Sequence, residues 1–278
     1  MAERLVYTEK VVGSIPTLPT MNPFLEQKQI VLNKLLINYY SSGNSSPTLL
    51  FLHGWRSEAK IWLPIINSLV QEGKTVYALD LPGFGRSETP SQSFTLADYS
   101  EAVARFIEAL KLSDVCLIGH SFGGRVAVKL AAPRSDLVQR LVLVASAGIR
   151  EKSFKRGLFK AAAKIVHPIF KLPFLRPLRK KIYQAIGAED YVMTPALKNT
   201  FIKIINEDVA PLFPKIKQKT LIIWGDQDKE TPLKFGRLMA KQIPRAKLEV
   251  IKGAGHCSFI DEPDGFLRVL KDFLNEPD

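Results

Sequence analysis

Val115-Cys116-Leu117-Ile118-Gly119-His120-Ser121-Phe122-Gly123-Gly124-Arg125-Val126-Ala127-Val128 changes its period at Ser121. Up to His120 it reads as a short buried strand, and from Phe122 to Ala132 its apolar residues recur at helical spacing. The junction, Gly119-His120-Ser121-Phe122-Gly123, fits G-x-S-x-G. Chance alone would produce that pattern in about one chain in ten of this length, so the pattern carries little weight without its context. The context puts Ser121 on a tight strand-to-helix turn. Glycines two residues to either side relieve crowding there, and the helix N-terminus supplies free N–H groups and a dipole that favours an anion.

Outward from this turn, strand and helix alternate. Thr48–His53, Lys74–Asp80, Val115–His120 and Leu137–Ala145 read as strands, separated by helices over Ala59–Gln71, Leu96–Lys111 and Phe122–Ala132. Thr95 and Asp98 stand at capping-box spacing at the start of the second helix. The alternation resumes with strands at Thr220–Trp224 and Leu248–Ile251 and helices at Leu233–Gln242 and Pro263–Asn275. Lys28–Tyr40 reads as a partly polar antiparallel strand or hairpin at the sheet edge. Such alternation implies an α/β fold, a mostly parallel sheet with helices on both faces. From about Ala147 to Lys215 there are helix-forming segments and prolines but no strand, which points to an insertion carried on the sheet. The expected organisation is a core of residues 1–147 and 216–278 with a helical lid at 148–215.

The chain has 278 residues, 46% hydrophobic and 24% charged, which excludes a disordered, collagen-like or disulfide-stapled protein. Two cysteines, a start without a signal-peptide core and no apolar run of membrane-spanning length lead to a cytoplasmic expectation. The net charge of +12 is uneven. Arg150–Lys181 holds eleven Lys/Arg and one acid, so it supplies +10 of the total. In helical projection Phe154, Leu158, Ala161, Ala162, Ile165 and Ile169 share one face, opposite Lys152, Arg156, Lys160, Lys164 and His167. A lid helix with a solvated basic face accounts for this pattern. Peripheral contact of 150–181 with an anionic membrane is the sharper expectation. No nucleic-acid motif occurs, and no nucleic-acid partner is expected.

A serine hydroxyl needs a base, and the chain has four histidines. His120 adjoins Ser121, His53 ends the first buried strand and His167 lies in the insertion. His256, in Gly253-Ala254-Gly255-His256 past the last strand, is left as the candidate. The imidazole needs a carboxylate to orient it, sought at the carboxyl end of a parallel strand. Trp224-Gly225-Asp226-Gln227-Asp228 offers two; Asp228 is the choice, and spacing does not exclude Asp226. The N–H groups of Phe122 and of Trp55, after Phe51-Leu52-His53-Gly54, are candidate oxyanion donors. Phe154, Leu158, Phe159 and Phe170 are candidate pocket or lid residues.

His53-Gly54-Trp55, Asp80-Leu81-Pro82-Gly83-Phe84-Gly85-Arg86-Ser87, Gly119-His120-Ser121-Phe122-Gly123-Gly124, Gly225-Asp226-Gln227-Asp228 and Gly253-Ala254-Gly255-His256 stand in the order found in the α/β-hydrolase superfamily. The chain resembles that superfamily over about Leu49–Asn275, the insertion apart. The resemblance implies an eight-stranded sheet with a lid after strand 6, a Ser121–Asp228–His256 triad, and Trp55 and Phe122 at the oxyanion hole. Serine at 121 departs from the haloalkane dehalogenase and epoxide hydrolase branches, which carry aspartate there. Ser121-Phe122 differs from the Ser-Met common among carboxylesterases and carbon–carbon hydrolases. Arg56 stands where the perhydrolase-like branch carries proline. The expected function is a serine hydrolase of the carboxylesterase or lipase type, cleaving an ester with an apolar acyl or lipid-like group, without cofactor or metal. Carbon–carbon bond hydrolysis by the same residues, or non-catalytic ligand binding on the same fold, are the alternatives.

Overall fold

The computed structural model describes residues 22–150 and 195–276. Eight strands form one sheet: β1 Glu26–Leu32, β2 Leu35–Ser42, β3 Thr48–Leu52, β4 Thr75–Leu79, β5 Val115–His120, β6 Arg140–Val144, β7 Lys219–Gly225 and β8 Ala246–Ile251. Their spatial order is β1-β2-β4-β3-β5-β6-β7-β8. β1 and β2 are antiparallel, as are β2 and β4, and every other neighbouring pair is parallel. The expected eight-stranded, mostly parallel α/β sheet is therefore present.

Side-chain alternation sorts each central strand into two cores. Leu50, Leu52, Leu117, Leu141 and Leu143 pack with Tyr99, Val103, Phe106 and Val126. These last come from α2 Leu96–Ala109 and α3 Phe122–Ala131. On the other face Leu49, Phe51, Ile118, Val142 and Ile223 meet Ile65, Leu69, Phe266 and Leu270. These belong to α1 Leu63–Gln71 and to a helix at Pro263–Asn275. Trp62 stacks on Phe259 at 4.1 Å between centroids, fastening a short turn of helix, Ser258–Asp261, to this face. Large aromatics supply the greatest apolar area per residue, so this contact anchors the chain just after His256.

Local chemistry explains where observed boundaries differ from the expected ones. The predicted helix over Ala59–Gln71 is a 3-10 turn, Ala59–Trp62, followed by α1, whose first turn contains Pro64. Strand β6 begins at Arg140 and not at Leu137, because the Leu137 and Val138 N–H groups turn back to the Arg134 carbonyl. The edge segment is a hairpin with the two-residue turn Asn33-Lys34, both at positive φ (51° and 65°), which suits the twist of the paired strands. The Thr95–Asp98 capping box forms as expected.

Of the expected insertion, residues 148–150 and 195–215 are described. They include α4 Lys198–Asn206 and a 3-10 turn at Ala210–Lys215. Arg125 on α3 donates to the Ile204 carbonyl, and Lys129 meets Glu207 at 2.7 Å, so α3 grips the C-terminal end of α4. That end carries partial negative charge, which favours the two cations. Phe154, Leu158, Phe159, Phe170 and all but the first residue of the basic stretch 150–181 lie outside the described residues. No described helix is long and apolar enough to cross a membrane.

Candidate active site

The chain runs from β3 outward to β4, then crosses back to place β5 on the other side of β3. In a doubly wound sheet this reversal opens a crevice at the carboxyl ends of the two diverging strands. Gly54 follows β3 and Ser121 follows β5, so both stand at that crevice. A Cβ on Gly54 would lie 3.5 Å from the Ser121 Cβ and 3.0 Å from His120 Nδ1. A side chain at 54 would crowd the His120 ring, so glycine suits the close pass of the loop carrying Trp55.

Ser121 stands at φ 50°, ψ −108°, and its side chain makes no capping hydrogen bond. A serine preceding a helix ordinarily takes extended angles and caps the first turn. Here the strained backbone turns the hydroxyl away from that duty. The strain is held from β6 and the loop after it: the Ser121 N–H donates to Val144 O at 3.0 Å, and Ser121 O accepts from Ala147 N–H at 3.0 Å. Gly123 completes the turn, since a Cβ there would meet the carbonyl oxygens of Leu52 and His53 at 2.6 Å. The Phe122 N–H, first in α3, has no carbonyl four residues back within the helix.

Asp228 and His256 come together from the loops after β7 and β8. His256 Nδ1 lies 2.9 Å from Asp228 Oδ2. Asp228 also accepts from the N–H groups of Glu230 and Thr231, both at 2.9 Å on Oδ1, and from the Thr231 hydroxyl at 2.7 Å on Oδ2. Asp226, the competing acid, points elsewhere: it is exposed and accepts the Gly253 N–H at 2.8 Å. Burial acts to raise the Asp228 carboxyl, yet the hydrogen bonds from His256 and Thr231 and the His256 charge outweigh it and hold it below the usual carboxylate value. For His256 burial acts downward, but the Asp228 hydrogen bond and the charges of Glu230, Asp228 and Asp261 win, and the imidazole is raised. The accepting carboxylate keeps the proton on Nδ1, leaving Nε2 as the basic nitrogen.

The other described histidines serve the frame. His53 is fully buried; its Nε2 accepts from the Leu81 N–H at 3.0 Å and its Nδ1 donates to Gly54 O at 2.7 Å. Burial lowers its pKa, which keeps Nε2 free to accept. His120 is also buried, and its Nε2 reaches the His256 carbonyl at 3.1 Å, bringing the His256 loop to within one residue of Ser121. Cys257 is no rival nucleophile, because burial pushes its thiol up to about 12.

An aromatic wall stands beside the turn. The half-buried Trp55 ring meets Phe84 at 4.9 Å, Phe122 at 5.2 Å and Phe201 of α4 at 5.0 Å. A separate groove of about 470 Å³, lined by Lys247, Glu249, Lys252 and Arg268 among others, contains none of these residues. Among the described residues no cluster of three or more His, Cys, Asp or Glu could hold a metal ion. Thr231, Glu230 and His120 are functional candidates that the sequence reading passed over. Thr231 alone had a local signal, a hydroxyl three residues after the chosen acid, as in a side-chain turn.

Residues 49–269 match the model of the alpha/beta hydrolase family. The chain belongs to this family. Among relatives of this alpha/beta hydrolase, the Escherichia coli 2-hydroxy-6-oxononadienedioate/2-hydroxy-6-oxononatrienedioate hydrolase is 24% identical over 266 residues, 87% of this chain and 92% of that protein. Among solved structures, an esterase from Exiguobacterium antarcticum superposes with a TM-score of 0.72 at 23% identity, covering 90% of this chain and 100% of that one. A membrane phospholipase A, described as a bacterial virulence factor, superposes with a TM-score of 0.70 at 24% identity, covering 91% and 88%. At these identities the structural likeness speaks for the fold.

Proposed function

We propose that this alpha/beta hydrolase cleaves carboxylic esters through an acyl-enzyme formed on Ser121. The observation that carries the reading is the 2.9 Å pair of Asp228 and His256, held one residue from a serine whose strained backbone releases its hydroxyl. His256 Nε2 takes the Ser121 proton as the hydroxyl oxygen attacks the ester carbonyl, and Asp228 stabilises the resulting imidazolium. The N–H groups of Trp55 and Phe122 hold the negative oxygen of the tetrahedral intermediate. Collapse expels the alcohol, which takes its proton from His256. Water, activated by the same nitrogen, then releases the acid and restores Ser121.

The aromatic wall of Trp55, Phe84, Phe122 and Phe201 suits an apolar acyl group. Phe201 reaches this wall from α4, which supports α4 as a cap element beside the site. A second reading, hydrolysis of a carbon–carbon bond beside a carbonyl, uses the same three residues and draws on the likeness to the Escherichia coli hydrolase. Turnover of p-nitrophenyl esters of graded acyl length, by the wild type and by Ser121→Ala, is the test. Ester turnover with a pre-steady-state burst, lost in Ser121→Ala, is expected. No turnover at any chain length would sink the ester reading.

A further inference from the structure

One loop presents carboxylates to both nitrogens of the His256 ring. Asp228 Oδ2 faces Nδ1 at 2.9 Å, and Glu230 Oε2 faces Nε2 at 3.6 Å. Their settings differ: the Asp228 side chain is fully covered, whereas that of Glu230 is 70% exposed. The Glu230 N–H is itself fixed on Asp228 Oδ1 at 2.9 Å, so its backbone is tied to the same carboxylate as the imidazole. The other titratable neighbours of His256 are Asp261, His120 and Cys257. Asp261 accepts the Gly255 N–H at 2.8 Å, His120 is kept neutral by burial, and Cys257 keeps its proton. Among the described residues, Glu230 is the carboxylate beside Nε2.

Nε2 is the nitrogen that returns a proton to the departing alkoxide, so the leaving oxygen must come within hydrogen-bond reach of it. One hydrogen bond of about 3 Å added to the 3.6 Å separation places that oxygen within about 7 Å of the Glu230 carboxylate. The alcohol half of an ester bound there therefore enters beside a negative charge.

We propose that Glu230 is a specificity residue, selecting esters whose alcohol half is cationic or neutral, amino-alcohol esters above all, over those whose alcohol half bears a carboxylate. The proposal rests on the ester-cleaving reading of Ser121, Asp228 and His256. At this distance, with an exposed carboxylate, attraction of a cation and repulsion of an anion are each worth about threefold in kcat/KM at low salt, or about tenfold between the two. Excess salt compresses the difference.

The test uses three esters of one acyl chain, with a choline-like, a neutral and a hydroxyacetate alcohol, turned over by wild type, Glu230→Gln and Glu230→Lys. The ratio of cationic to anionic kcat/KM is expected to fall about tenfold from wild type to Glu230→Gln and to fall further in Glu230→Lys. On the neutral ester, the acid limb of kcat/KM moves to lower pH in Glu230→Gln, because an imidazolium without that neighbour is less favoured. A merely structural role would leave both readings unmoved. Turnover with the same ratio in all three proteins overturns the proposal alone. Absence of turnover with every ester overturns the ester reading and the proposal with it.

Discussion

His120 Nε2 lies 3.1 Å from the backbone carbonyl oxygen of His256. Burial keeps His120 well below its ordinary pKa, so the ring has one N–H, and this contact places it on Nε2. The residue before Ser121 thereby holds the backbone of the candidate base. His120 is a positioning residue: His120→Gln retains an N–H near that place, whereas His120→Phe retains only the ring packing. We expect kcat to fall about 100-fold in His120→Phe with KM little changed, and to be largely restored in His120→Gln. Steady-state kinetics beside a thermal melt of each variant check this; equal kcat in the wild type and the folded Phe variant contradicts it.

The two acids of the β7 loop separate cleanly. Asp228→Asn removes the partner that fixes the proton on His256 Nδ1, and kcat should drop about 10³- to 10⁴-fold. Asp226→Asn weakens one loop hydrogen bond, to Gly253, and should cost at most about tenfold. Kinetics of the two variants side by side decide; the reverse order would move the acid to Asp226.

Gly123 has no room for a methyl group. Its added Cβ would meet two backbone oxygens at 2.6 Å, and backbone yields less readily than a side-chain tip. Gly123→Ala should destabilise the fold by about 1–3 kcal/mol and misplace the Ser121 turn. Denaturant unfolding reads the first effect and loss of kcat the second; a variant as stable and active as the wild type would refute both.

Acid should weaken the fold from pH 6.5 downward. His53 and His120 are buried with lowered pKa values, so unfolding lets them bind protons that the folded state refuses. Their stabilisation is present above the unfolded value of about 6.5 and is lost as pH falls toward their folded values, at up to about 1.4 kcal/mol per pH unit for each group. His256 is raised, so its contribution is complete below 6.5 and adds no slope there. Thermal melts at pH 6.5, 6.0 and 5.5 should show a falling Tm, less steeply in His120→Gln. A flat Tm would show that neither ring resists protonation.

Much of this site was legible where chemistry and local period coincide. The turn at Ser121 was legible because a strand period and a helix period meet there, and the helix at Pro263–Asn275 forms over the span its pattern indicated. Asp226 and Asp228 looked alike because they are two residues apart in a turn, and only the folded loop decides which one meets His256. His120 left no sequence signal, since its partner is a carbonyl 136 positions away that approaches only when the loop after β8 docks on β5. Glu230 reads as an ordinary surface acid until the same docking occurs. The beginning of β6 was misjudged because Leu137 and Val138 are apolar yet spend their N–H groups on a turn.

The hydrogen bonds of Ser121 to Val144 and Ala147 bear on how short patterns are compared between chains. A pentapeptide with this pattern, taken alone in water, would relax toward ordinary angles, since nothing inside it holds the positive φ. The strained shape of Ser121 is held by the neighbouring strand β6 and its loop, and it comes into being when β6 docks on β5. Refolding should accordingly regain secondary structure before activity, with the lag set by that docking step.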